Sequence, residues 1–257
     1  MAGQGGYRVQ RLSRARLALA AGQEMARRRH LMFALVEADL STQLALIAAH
    51  RERTGERLSL SGYVATCLAR ALAEQPEVNA FRRRRSLILL DEVIVVVLLE
   101  RTIDGQSAVG YLPIRRADTK TLVQVSAEIR AEQGGAQRVV PGQRWLELIP
   151  TALVPIVLGP ASRSPRWALR YGVAGVNNLG IGGDIPGWGL APGAGTVAVT
   201  IGGISPRSEG GAERRIARLT LSFDHDVVDG APAARFTSRL LDLLASGETS
   251  GIPVSPR

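Results

Sequence analysis

The sequence predicts an α/β fold, a two-layer sandwich with a mixed central sheet. Three observations lead there. Helix-type and strand-type segments interleave over the first half of the chain. The last third turns to glycine-rich strands and closes on an amphipathic helix. No linker or internal repeat divides the 257 residues, and a mix of 46% hydrophobic and 21% charged residues is enough for one large core.

Each element has a local reason. Residues 1–12, with Gly3, Gly5 and Gly6, read as a flexible tail ahead of one domain spanning 13–257. RARLALAAGQEMARR reads as a helix with Ser13 as its N-cap. HLMFALVEADL alternates at Phe33, Leu35, Glu37 and Asp39 and reads as a strand. STQLALIAAHRERTG is a helix from Ser41 stopped by Gly55, and SLSGYVATCLARALAEQ is a helix ended before Pro76. LILLDEVIVVVLLE is either one strand covered on both faces or two strands joined at Asp91-Glu92. AVGYLPIRR is a strand disturbed by Pro113, and KTLVQVSAEIRAEQ is a helix. Residues 134–170 mix apolar patches with prolines and fit no single element. YGVAGVNNLGIGG, TVAVTIGGI and RLTLSFDHDVV are strands and turns, and APAARFTSRLLDLLASG is a helix stopped by Gly247.

Composition excludes several classes. The net charge is +9, but Lys120 is the single lysine among 32 basic residues, so part of the excess reflects GC-rich coding. The arginines are scattered and no motif accompanies them, so no nucleic-acid partner is expected. Cys67 alone cannot build a disulfide framework or a cysteine zinc site. Asp91 and Glu92 interrupt the longest apolar run, and LALAA is too short for a secretory core. A cytoplasmic, soluble protein with no membrane contact is expected. No P-loop or Gly-x-Ser-x-Gly elbow is present, and Gly180, Gly182 and Gly183 lack dinucleotide spacing. His30, His50 and His225 show no metal-ligand spacing, so no metal is expected.

LTLSFDHDVVDGAPAARF, residues 219–236, is the informative segment. An apolar strand runs into Asp224, His225 and Asp226, then Asp229 and Gly230. A histidine there suits general-base chemistry near neutral pH. Gly230 permits a sharp turn, Pro232 starts a helix, and Asp229 can tie the turn to an arginine. From one histidine alone, the better explanation is that His225 merely caps a strand.

HDVVDG resembles the His-x-x-x-Asp-Gly signature of the chloramphenicol acetyltransferase / dihydrolipoamide acyltransferase superfamily. The order of other segments agrees. RLSLSGYVATCLARALAEQPEVNAFR resembles the superfamily's helix followed by Pro-Glu-x-Asn-Ala. VIVVVLLERTIDGQSAVGYLPIRRADTKTLVQVSAEIR resembles its paired strands and following helix, GVNNLGIGG its Ser-Asn-Leu-Gly loop, and TVAVTIGGISPR the next strand. The resemblance spans roughly residues 13–246 and implies a chloramphenicol acetyltransferase-like fold.

It also implies roles. His225 is the general base that takes the proton from an acceptor attacking an acyl-CoA thioester, with acetyl-CoA as co-substrate. Asn177 stands where the superfamily has a hydroxyl donor to the oxyanion; turn formation before a glycine accounts for Asn177 and Asn178 equally well. Asn178, Gly180 and Gly182 fall in the loop assigned to CoA binding. Asp229 supports the site through an arginine of the first helix, Arg16, with Gly230 forming the turn. Asp226 replaces an arginine and sets an acid beside the base; it either acts on His225, for example by orienting it, or faces solvent, the default reading. The run Arg82–Arg85 is read as a solvated face, with attraction of CoA phosphates as the alternative.

The superfamily forms trimers with the active site between subunits, so a homotrimer or an assembly of trimers is expected. Nothing surrounding Lys120 resembles a lipoyl attachment site, so no covalent lipoyl group is expected. With Met1 at its start, the chain reads as a standalone acyltransferase of a hydroxylated small molecule. The refinement is a tetronate intermediate of polyketide biosynthesis. The alternatives are a free-standing core that acylates lipoyl domains of another chain, and a trimeric scaffold without activity.

Overall fold

The computed structural model describes residues 29–103, 106–134, 164–180, 184–193 and 195–247, together with Ala20, Gln23, Ala26, Arg27 and Leu153. The tail 1–12, the helix cap at Ser13 and most of 134–170 lie outside them.

The chain enters the sheet through β1 (Leu31–Asp39). Two helices follow, α1 (Ser41–Thr54) and α2 (Leu60–Glu74). Gly55 ends α1 in the left-handed region at φ 73°, which a Cβ would oppose. Ser59 caps α2 by accepting the Gly62 N–H at 3.2 Å. A short ribbon comes next, β2 (Ala80–Arg83) against β3 (Ser86–Leu89), and then β4 (Val95–Ile103) and β5 (Gln106–Ile114). The acidic pair Asp91-Glu92 therefore separates two strands, the second of the two sequence readings. Helices α3 (Leu122–Gly134) and α4 (Pro165–Tyr171) precede β6 (Ala174–Asn178). The chain closes with β7 (Val197–Glu209), β8 (Ala212–Asp224) and α5 (Gly230–Ser246).

The main sheet has the order β1-β8-β7-β6-β4-β5. β6 runs parallel to both β4 and β7, and the other neighbours are antiparallel, so the sheet is mixed. Pro113 is tolerated because, among the described residues, β5 is an edge strand paired only with β4. β7 and β8 form a hairpin through Gly210-Gly211, both at positive φ, and extend well past the apolar segments that mark them in the sequence.

Period-two alternation divides the sheet's faces. Val95, Val97, Val197, Val199, Ile201, Leu219, Leu221 and Phe223 join one core with α2, α3 and α5, including Tyr63, Leu68, Ile129, Phe236 and Leu240. The Phe236 ring meets Phe223 edge-on at 5.9 Å. The helices thus form the second layer, in agreement with the expected α/β two-layer sandwich. Lys120, just before α3, ion-pairs with Glu128 on that helix at 2.5 Å.

The opposite face of β7 is covered by loop 184–193. At Gly202-Gly203 two residues of β7 oppose one of β8, a bulge. A Cβ on Gly203 would lie 1.8 Å from the Ile185 carbonyl oxygen, and one on Gly202 2.3 Å from that of Gly187. Only glycine lets the loop's backbone approach so closely. Trp188 Nε1 donates to the Val36 carbonyl at 3.3 Å. Beneath the indole lies Arg218, whose Nε is 3.2 Å from Glu37 Oε1.

Candidate active site

The site is built at the point where β8 leaves the sheet. Asp224 ends this buried strand and organises the turn after it. Its carboxylate, on a residue only 5% exposed, accepts the Asp226 N–H at 3.1 Å through Oδ1 and receives Arg29 Nη1 at Oδ2. Its carbonyl accepts the N–H groups of Val227 and Val228 at 2.9 and 3.0 Å. An acidic residue at the end of an apolar strand was the signal for this hub, but its arginine partner is distant in sequence.

The turn lifts His225 out of the core. Its N–H donates to the His30 carbonyl at 2.7 Å while its side chain is 51% exposed. The imidazole is therefore accessible on a fixed backbone. Nδ1 lies 3.7 Å from Asp229 Oδ1, too long for a hydrogen bond but close enough for attraction once the ring is charged. Asp229 is the N-cap residue of α5, and its side chain makes no capping hydrogen bond. Gly230, rather than Pro232, is the first helical residue. No arginine among the described residues pairs with Asp229, and Arg16 lies outside them. Among the described residues the arginines that reach this turn are Arg29, at Asp224, and Arg82, at Asp226, and neither pairs with Asp229.

Asp226 corrects a second expectation. Its side chain is 26% exposed and paired, not solvated: Oδ1 lies 3.0 Å from His30 Nδ1, and Oδ2 2.9 Å from Arg82 Nη1. The hydrogen bond from His30, with the charge of Arg82 beside it, holds the Asp226 carboxyl below its ordinary value. Arg82 is accordingly not part of a purely solvated run.

Asn177 and Asn178 end β6. Asn178 Oδ1 accepts the Gly180 N–H at 2.9 Å and its Nδ2 faces Ser61 Oγ at 3.4 Å, so its amide shapes the turn. Gly180 adopts φ 59° with open space where a Cβ would be. Gly182 lies outside the described residues. Asn177 pairs with Thr200 of β7, and Thr200 with Thr220 of β8, five residues before His225. At about 3.3 Å per residue and 4.8 Å per strand, Asn177 and His225 of one chain stand roughly 15–20 Å apart. The structure does not bring these two residues together within a single chain. Among the described residues no cluster of three His, Cys, Asp or Glu is placed to hold a metal, and no helix is long and apolar enough to cross a membrane.

Residues 195–251, which contain β7, β8, the His225 turn and α5, match the family model described as 2-oxoacid dehydrogenases acyltransferase (catalytic domain). No curated protein matches the chain. A probable dihydrolipoamide acetyltransferase from Listeria monocytogenes 4b F2365 superposes with a TM-score of 0.71 at 17% identity, over 98% of this chain and 99% of that one. The cubic core of the pyruvate dehydrogenase multienzyme complex gives 0.68 at 21% identity, over 94% and 92%. The dihydrolipoamide acetyltransferase of Azotobacter vinelandii, whose catalytic mechanism was investigated through a serine, a histidine and an asparagine, gives 0.68 at 22%, also over 94% and 92%. The solved structures carry the fold, and the matched segment carries a similarity to an acyltransferase catalytic domain. More narrowly, the site sits in a segment of the 2-oxoacid dehydrogenase acyltransferase catalytic-domain type.

Proposed function

We propose that the protein moves an acetyl group from acetyl-CoA to a hydroxyl of a small molecule, with His225 as general base. The observation that carries this reading is the exposed imidazole on a backbone fixed by Asp224 and His30, inside the segment matched as an acyltransferase catalytic domain. His225 takes the acceptor's O–H proton as its oxygen attacks the thioester carbonyl. The tetrahedral oxyanion then collapses, the C–S bond breaks, and the imidazolium returns its proton to the departing CoA sulfur. Asp229 faces Nδ1, which leaves Nε2 for that proton.

The oxyanion donor in this proposal is the Asn177 amide. Its distance from His225 in one chain supports a site shared between subunits, with His225 from one copy and Asn177 from the next. The relationship to a cubic core supports a homotrimer or an assembly of trimers. A tetronate hydroxyl in polyketide biosynthesis is the acceptor we favour, in the cytoplasm where acyl-CoA is made.

A second reading has a specific observation behind it: the matched family model is that of the 2-oxoacid dehydrogenases acyltransferase catalytic domain, and two of the superposed structures are a probable and an established dihydrolipoamide acetyltransferase. In that case the acceptor is the dithiol of a lipoyl domain on another chain.

The experiment mixes purified protein and acetyl-CoA with hydroxylated small acceptors, with dihydrolipoamide, and with lipoyl domains, and follows CoA thiol release. Turnover with a hydroxyl acceptor and a loss of roughly 10²–10⁴-fold in His225→Ala are expected. Turnover restricted to dithiols selects the second reading. Absence of turnover with every acceptor overturns the proposal and leaves a trimeric scaffold; unchanged activity in His225→Ala overturns the proposal by removing His225 as the base.

A further inference from the structure

We infer that Arg82, Asp226 and His30 form a bridge that positions His225 for proton transfer, an inference that rests on His225 being the base. Three sets of contacts carry it. Both oxygens of Asp226 are engaged, one by His30 Nδ1 at 3.0 Å and the other by Arg82 Nη1 at 2.9 Å. His30 grips the turn twice, since its carbonyl accepts the His225 N–H at 2.7 Å while its ring holds the next residue. Arg82 does not reach in from a loose segment. Its ribbon is tied behind the same turn, because Thr196 Oγ1 donates to the Ala80 carbonyl and the Thr196 carbonyl accepts the Asp224 N–H at 2.8 Å. The contacts close a ring: Asp224 to Thr196, Thr196 to Ala80, along β2 to Arg82, and from Arg82 to Asp226.

The exposure of the partners separates this role from a stabilising one. Arg82 is 52% and the His30 side chain 80% exposed, so water and salt screen both contacts and they add little to folding. What the bridge does control is where the backbone of residues 225 and 226 stands relative to the β2–β3 ribbon. Placement of a base matters far more steeply than an exposed ion pair, since an error of about 1 Å can cost up to 10²-fold in rate. Asp226 and Arg82 are thus positioning residues: they act through His225.

The test compares Arg82→Gln, Asp226→Arg and the exchanged pair Arg82→Asp with Asp226→Arg. Kinetics are run on the full chain with acetyl-CoA and the acceptor that the wild type turns over. Histidine-ring NMR, made simple by only three histidines, reports the His225 environment independently of activity. Asp226→Arg sets two guanidinium groups against each other; it should lower kcat about 10–10²-fold with KM for acetyl-CoA and the melting temperature nearly unchanged. It should also move the His225 ring signal, and the exchanged pair should restore most of both. If Asp226→Arg and Arg82→Gln keep wild-type kcat and an unmoved His225 signal while His225→Ala is inactive, the bridge is refuted and the base reading stands. If His225→Ala is as active as the wild type, the base reading fails, and with it the positioning role, even where the ring signal responds to the exchange.

Discussion

Removing the guanidinium of Arg29 exposes how much the His225 turn depends on one ion pair. Asp224 is nearly inaccessible, and after Arg29→Ala its carboxylate keeps one clear donor, the Asp226 N–H at 3.1 Å. Stranding a buried charge in this way costs about 3–5 kcal/mol. Arg29 is itself partly exposed, and water entering its space will solvate the carboxylate, so the low end, about 3 kcal/mol, applies. For a domain of this size that lowers the melting midpoint by roughly 6–12 °C. Urea and thermal melts of Arg29→Ala, Asp224→Ala and the double variant form a cycle. The double variant should be far less destabilised than the two singles added together, because it leaves no unpaired charge behind. A loss under about 1 kcal/mol in Arg29→Ala, or simple additivity in the cycle, would refute the assignment of Asp224 as the hub of the turn.

Stability should fall in acid. Hydrogen bonds from Arg207 to Glu37 and from Ser41 to Asp39 hold these carboxyls below their ordinary values of 4.5 and 3.8. Depressed folded-state values mean that their stabilisation is fully present above about pH 5 and is lost as pH falls through the depressed range. Urea midpoints at pH 6 and pH 3 should show the drop, and Glu37→Gln should reduce it; an equal drop in that variant counts against the Glu37 pairing. Gly203→Ala should displace loop 184–193, because the new methyl meets the Ile185 carbonyl. With the other two tryptophans replaced by phenylalanine, Trp188 emission should shift to the red, and an unmoved spectrum would contradict the close backbone approach.

Where local chemistry decides, the structure follows the sequence. Gly55 and Gly247 both end helices at positive φ, as their positions after apolar periodic segments require. Asp91-Glu92 splits the long apolar run, since two adjacent acids cannot continue a strand covered on both faces. The β2–β3 ribbon was hidden because four consecutive arginines carry no period-two pattern, and the same run concealed Arg82's commitment to Asp226. The polar stretch around Gly210-Gly211 disguised the far half of the β7–β8 hairpin, whose residues project beyond the core and need no apolar alternation. Site residues were legible as types and not as neighbours. His225 and Asn177 could be picked out from motifs, but their separation follows from a strand order in which β7 lies between β6 and β8. Nothing local encodes that order.

The solitary lysine has a practical consequence. Amine-directed dyes and crosslinkers find a single side-chain address, Lys120, held by Glu128 on the helical layer. It follows β5 at one edge of the sheet, whereas His225 follows β8, with β7, β6 and β4 in between. A fluorophore attached there would be a stoichiometric side-chain reporter placed across the same chain from the His225 turn, so labelled and unlabelled protein can be compared without touching that turn.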